Sequence, residues 1–289
     1  MSAAAVTARA GARTGRRPGV GTVYRWEIRK LIAQKRTYIG LGAAVLVPLI
    51  FVLGLALDTS GGGPDGLAFG GAVRETGLAI PLVSLAFGSI WLFPLIIALV
   101  AGDIVSSEDS NGTLKTILTR SVERRQVFAG KALAALSYAV LALAGFVVAG
   151  LVAGGVVWGF DPLTSLSGTS IPTGRAVALI GASALVYLMP MIAIGAIALL
   201  LSTAARNSAA AVVGTLMIAL IMQILGVISG LEFMEPYLLS TQFDAWQGLL
   251  REPADWAPVV RAAWVCALYA VPAGGAALAV FVRRDVAGG

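Results

Sequence analysis

The chain has 289 residues, of which 58% are hydrophobic and 12% charged, with a net charge of +6 and a mean hydropathy of +0.87. Soluble domains carry about 45–50% apolar and about 25% charged residues, so this composition excludes an ordinary soluble protein and requires a bilayer as solvent. Histidine is absent and cysteine occurs once, at Cys266; an intrachain disulfide is thereby excluded, and imidazole zinc sites and Ser-His or Cys-His catalysis lose their ligand or base.

Residues 1–21 are small, polar and basic, which predicts a disordered tail without the apolar core and cleavage site of a signal peptide. Over 22–36, Tyr24, Ile28, Leu31 and Ile32 recur on one helical face, with Arg25, Arg29 and Arg36 opposite. This pattern fits an amphipathic elbow in the membrane interface better than a solvated extension of the first span. Six stretches without an ionisable residue then reach the roughly 20 residues that cross a hydrocarbon core, near 37–57, 78–102, 132–158, 176–201, 208–230 and 262–282. The alternation of a β-barrel is missing. The predicted fold class is therefore an all-α polytopic membrane protein with six transmembrane helices over 37–289.

Of the 21 Lys and Arg residues, 17 lie at the N-terminus, at the C-terminus and in the links after the second and fourth spans. By the positive-inside rule, both termini are expected in the cytoplasm. The positive charge then orients the chain and touches anionic membrane lipids, and no nucleic-acid partner is expected. The preference for Arg over Lys, with abundant Ala and Gly, fits a high-G+C bacterial genome, and hence a bacterial plasma membrane.

The cytoplasmic link 103–131 is too polar for lipid. Within it Leu114, Ile117 and Leu118 recur at helical spacing after the turn-forming Ser110, Asn111 and Gly112, which predicts a short amphipathic helix below the membrane. Its apolar face needs a cover, either a docked soluble subunit or the lipid headgroups. On the other side, the loop 231–261 carries a Thr241-x-x-Asp244 start signal, and Phe243, Trp246, Leu249 and Leu250 line one side of a helix that Pro253 stops. That surface fits an external gate, or an interfacial aromatic belt built on Trp246 and Trp256.

No predicted span contains Asp, Glu, Lys, Arg or His, whereas ion-coupled carriers and intramembrane proteases keep ionisable groups there. The phosphate-binding Gly-x-x-x-x-Gly-Lys-Ser/Thr pattern is also missing: Gly130-Lys131 is followed by Ala132, and Arg125 stands where the first Gly belongs. Energy is therefore expected from a separate ATPase. Polar side chains within the spans are few (Ser84, Ser89, Ser137, Tyr187, Thr215, Gln223, Ser229), and interhelical hydrogen bonding explains each of them better than a pathway does. A wall without fixed charge suits an apolar or amphipathic cargo. Gly150-x-x-x-Gly154, Gly155-x-x-x-Gly159 and Gly226-x-x-x-Gly230 offer small faces for close helix contact, including contact between two copies. The rival reading is an ATPase-independent scaffold or sensor that recruits cytoplasmic partners through 103–131.

Within the same link, Glu108, Gly112, Thr113 and Leu114, followed by Leu118, Arg124 and Lys131, resemble the cytoplasmic signature of the type-2 permeases of ATP-binding cassette (ABC) exporters. That signature often reads Glu, three residues, Gly-Thr-Leu, a Leu-Leu pair, Pro, Arg and Gly-Lys. Six spans, an elbow and the ending Arg283-Arg284-Asp285 extend the likeness over nearly the whole chain, with departures at Ile117 in the Leu-Leu pair and at Ser121 in place of Pro. The resemblance implies a permease with an ATPase-coupling segment comprising Glu108, Gly112, Thr113, Leu114, Ile117, Leu118 and Arg124. It further implies a second coupling contact at Arg206 and Asn207, and an external gate using Phe243, Trp246 and Leu250. The partners it implies are two copies of a cytoplasmic ABC ATPase and a second permease, identical or paralogous. ATP and Mg are expected in the ATPase and no cofactor or metal in this chain, whose role is transport and not catalysis. A lipid, peptide antibiotic or drug is the expected cargo.

Overall fold

A computed structural model describes residues 19–59, 63–64, 66–110, 112, 123–205 and 207–283. Helix α1 (Val20–Ile32) is followed after a two-residue break by α2 (Lys35–Leu57). Next come α3 (Ala79–Ile90), α4 (Leu92–Ala101), the single turn α5 (Ser106–Ser110) and the long α6 (Arg124–Trp158). A two-residue hairpin, β1 (Leu163–Thr164) with β2 (Ser170–Ile171), pairs Leu163 with Ile171 and leads into α7 (Thr173–Ala204). The chain continues through α8 (Ser208–Leu225), the short α9 (Leu239–Gln242) and α10 (Ala257–Arg283).

Among the described residues, five helices are long and apolar enough to cross a membrane, and the bent pair α3 and α4 makes a sixth when counted as one span. The protein is an all-α polytopic membrane protein. An even number of crossings brings both ends of the bundle to one face, here the elbow side. There the rings of Phe128 of α6 and Phe281 of α10 pack tilted with centroids 5.7 Å apart, and the Arg124 guanidinium donates to the Val282 carbonyl at 2.8 Å.

The predicted second span is not a single rod. It bends by 58° at Trp91. Pro94 lies in the first turn of α4, where an amide has no helical acceptor to lose, so the proline starts a new helix without breaking the old one. Helix α6 begins eight residues before its predicted span, at Arg124, and at 1.5 Å per residue extends about 52 Å, well past the roughly 30 Å hydrocarbon core. The fifth span ends early, at Leu225, and Gly230 with φ +101° takes a conformation outside any helix.

The core is built around α6 and α7: α6 packs on α1, α2 and α3, and α7 on α4, α8 and α10. Large apolar side chains left exposed, such as Ile39, Ile50, Val148, Val213, Ile221, Leu268 and Val271, lie on the outer faces of α2, α6, α8 and α10. Lipid covers such faces without cost, whereas in water they would form a patch far beyond that of a soluble monomer. Small residues close the bundle internally. A Cβ on Gly154 would stand 2.5 Å from the Gly77 carbonyl oxygen and 2.8 Å from Ile80 Cγ1, and one on Gly150 would stand 3.3 Å from Pro81 Cα. The Gly150/Gly154 face, expected as a contact between copies, is thus taken up by the segment leading into the chain's own α3. Gly155 faces Phe160 of the same chain, and Gly226 to Gly230 follow the end of α8.

Gly154→Val is expected to lower the thermal unfolding midpoint in detergent, because overpacking of this kind costs about 1–3 kcal/mol. Gly181→Ala, whose added methyl meets nothing within 4 Å, should leave the midpoint unchanged or slightly raised.

Candidate functional site

The predicted coupling segment begins inside a cluster of buried charges on the elbow side. Lys131, fully buried in α6, donates through Nζ to Glu27 Oε1 of α1 at 2.9 Å and to the Ile104 carbonyl at 3.1 Å, and stands 2.7 Å from Glu108 Oε2 of α5. The ammonium thus makes two hydrogen bonds and a further ionic contact with Glu108. Lys30, one turn along α1, pairs with Glu108 and lies 3.5 Å from Glu27 Oε2. Two ammonium groups therefore face two carboxylates, and the cluster is neutral. Burial alone would lower the Lys30 pKa, but the Glu108 and Glu27 carboxylates beside it outweigh that effect and hold it above the ordinary lysine value.

Local sequence explains how these groups meet. A Cβ on Gly130 would lie 2.7 Å from Val23 Cγ1 and 3.1 Å from the Tyr24 amide nitrogen, so glycine is what lets α1 rest directly on α6. The next residue, Lys131, then reaches Glu27. On α1, Val23, Glu27 and Leu31 form the buried stripe at four-residue spacing. The elbow is accordingly rotated by about one residue from the predicted face: Tyr24 and Ile28 are half-buried, and Ile32 is 56% exposed.

A second polar knot lies beside the first. Asp103, buried at the end of α4, pairs with Arg36 of α2 and accepts from the Ser208 hydroxyl of α8. Ser202 of α7 accepts from the amides of Val105 and Ser106 at 3.2 and 3.1 Å. The turn that carries Glu108 is thus tied to α1, α2, α6, α7 and α8. It ends at Gly112, whose φ of +69° suits glycine and whose amide donates to the Asp109 carbonyl at 3.0 Å.

Of the predicted coupling residues, Glu108, Gly112 and Arg124 lie on this face, with Arg124 holding the end of α10. Thr113, Leu114, Ile117 and Leu118 lie outside the described residues, as does Arg206. Asn207 caps α8, its Oδ1 accepting from the Ala210 amide at 3.2 Å. Sequence reasoning missed Glu27 and Asp103 as partners. The available signal was a carboxylate set in the Val23/Leu31 stripe and an acid placed directly after an apolar run.

Phe243, Trp246 and Leu250 lie at the opposite end. The segment after α8 turns back into the bundle through α9 and a 3-10 helix over Ala245–Leu250, rather than the single helix predicted from Thr241. Packing forces the tighter turn: a Cβ on Gly248 would collide with the Asp255 carbonyl, and the Asp255 amide donates to the Gly248 carbonyl at 2.9 Å. Trp246 is fully buried, with its ring 6.1 Å from Phe69 and 6.5 Å from Tyr187. A belt position at headgroup level is thereby excluded for Trp246, while Trp256 is 60% exposed. Phe243 packs 5.5 Å from Tyr187, which in turn lies 5.8 Å from Phe93. Tyr187 lies about 21 Å along α7 from its far end, so the returning segment dips deep into the bundle.

Most polar groups within the spans serve their own helices. Ser84, Ser89 and Thr215 donate to the carbonyls of Ile80, Ala86 and Ala211 at 2.7, 2.6 and 2.8 Å.

A multi-pass bundle with an elbow locked to the turn before a polar link defines a membrane permease of the kind whose Glu-to-Gly-Lys signature the sequence carries. The family model described as ABC-2 family transporter protein matches residues 24–226, from the elbow to the end of α8. The chain belongs to the ABC-2 transporter family and is an ABC transporter permease, a membership that implies association with an ABC ATPase. No curated protein matches the chain.

Lys131→Met is expected to destabilise the protein by about 3–5 kcal/mol, since it leaves two buried carboxylates with only the partly exposed Lys30 between them. The triple variant with Glu27→Gln and Glu108→Gln should recover most of that loss. Thermal unfolding in detergent is the measurement, and an unchanged midpoint for Lys131→Met would remove the cluster's structural role.

Proposed function

We propose that this permease is the membrane half of an ATP-driven exporter in a bacterial plasma membrane, with the elbow side in the cytoplasm, where the Lys and Arg surplus orients it. Residues 108–124 form the contact with a soluble ATPase, and Arg206 and Asn207 add a smaller one beside it. ATP and Mg bind in that partner, present in two copies, and a second permease, identical or paralogous, completes the pathway. The cargo is hydrophobic or amphipathic, such as a lipid, peptide antibiotic or drug, because a membrane interior without fixed charge cannot compensate a multiply charged solute.

The observation that carries this reading is the Lys131 cluster. A segment that receives a push from a soluble subunit must be stiffly joined to the spans, or the displacement is lost in a loose loop. Here the turn bearing Glu108 is anchored to five helices just before the chain leaves toward Leu114 and Leu118. On the far side, Phe243, Trp246 and Leu250 close the bundle and constitute the gate: their aromatic contacts with Tyr187 and Phe69 have to separate when cargo leaves.

Leu114→Asp and Leu118→Asp should leave the permease inserted and its thermal midpoint close to wild type. Each should cut ATP-dependent transport in proteoliposomes at least tenfold while the ATPase retains its basal hydrolysis. Undiminished transport and undiminished ATPase co-purification in both variants would exclude residues 108–124 as the coupling contact.

A further inference from the structure

The side of α1 turned away from Glu108 borders a groove that the coupling scheme does not use. It has a volume of about 750 Å³ and lies between α1, the first turns of α2 and the middle of α6, lined by Tyr24, Ile28, Ile32, Leu41, Leu136 and Leu141 among others. That volume is within the roughly 300–1,000 Å³ of small-molecule sites. The lining is almost wholly apolar, and the groove opens onto lipid-facing side chains: Tyr38, Val140 and Leu141 are 58%, 42% and 58% exposed. Polar groups are confined to one end. The Tyr24 hydroxyl bonds Ser137 Oγ at 2.9 Å, whereas Thr37, only 5% exposed, has an Oγ1 with no hydrogen-bond partner among the described residues. A buried hydroxyl without a partner costs free energy unless a ligand or water satisfies it.

The rim supplies charge. Arg25 and Arg29 follow Tyr24 and Ile28 by one residue, so they lie about 100° further round α1, along the outer edge of the groove. Both are exposed, and neither forms an ion pair among the described residues. An apolar slot open to the bilayer and two guanidinium groups at its rim, without an ion-pair partner among the described residues, match one ligand chemistry: an acyl chain followed by a phosphate.

We propose that this groove holds one phospholipid with an anionic headgroup, drawn from the elbow-side leaflet. Its acyl chain lies along Leu41, Leu136 and Leu141, and Arg25 and Arg29 hold the headgroup. The lipid wedges between the elbow and the spans, on the opposite flank of α1 from the Lys131 cluster. The site is independent of the identity of any cargo.

The test uses the full-length chain, reconstituted in vesicles of equal phosphatidylglycerol and phosphatidylcholine, re-extracted in mild detergent and weighed intact by native mass spectrometry. Wild type should retain one phosphatidylglycerol per chain in about thirtyfold preference to phosphatidylcholine, a scale set by two basic residues at an anionic surface. Arg25→Gln/Arg29→Gln, at exposed positions that leave the fold intact, should bring the preference close to one. Ser137→Trp, which fills the groove, should abolish retention of both lipids. Arg175→Gln on the far side should match wild type. Equal retention of the two lipids by wild type, or an unchanged preference in the double variant, overturns the proposal. Efficient cross-linking of Ser137→Cys between two copies in the bilayer overturns it as well, because a second permease would then occupy the groove.

Discussion

The elbow side of this protein is organised by one ammonium group. Lys131 sits on a helix with no water in reach, where an isolated charge would cost several kcal/mol. It is tolerable only because Glu27, Glu108 and the Ile104 carbonyl converge on it. Each of those partners belongs to a different part of the chain, so satisfying Lys131 places the elbow, the end of the broken span and the turn before the polar link in a single stroke. Gly130 is the steric counterpart: without its missing side chain α1 would stand off α6, and Glu27 would fall short.

The two ends of the bundle are held by different physics. The charged residues buried among those described, Glu27, Asp103, Glu108 and Lys131, are all on the elbow side. The far half closes with aromatic rings, in a chain of contacts from Phe146 through Phe93 and Tyr187 to Phe243 and Trp246. Charge-assisted contacts are short and directional, and they give way only when a partner leaves. Ring packing is weaker per contact and can re-form in offset or edge-on arrangements at modest cost. In the exporter proposed above, charge would hold the driven face and rings the face that opens.

The six crossings were legible because lipid demands long uncharged runs, and 37–57, 176–201 and 262–282 each lie within a helix of the structure. The break at Trp91 was hidden by the same rule: Trp91, Leu92 and Phe93 are as apolar as their neighbours, so hydropathy cannot register a change of direction. The rotation of the elbow escaped because periodicity ranks Glu27 as polar and assigns it to water, while a lysine more than a hundred residues away makes it an interior residue. The start signal at Thr241 failed for a related reason. The close approach of Gly248 to Asp255 selects a 3-10 turn that no local propensity announces. Glu108 and Lys131 were visible as members of a motif, but that they touch each other was not.

Glu27 and Lys131 are separated by 104 positions. At about 5–20 residues per second of synthesis, α1 leaves the ribosome roughly 5 to 20 s before Lys131 exists. Until then Lys30, on the same helix, is the cation within reach of Glu27. Maturation of the bundle is therefore retroactive: the third crossing, on arrival, recruits a helix made long before it, and any nascent chain stalled ahead of α6 carries an elbow that cannot yet be latched.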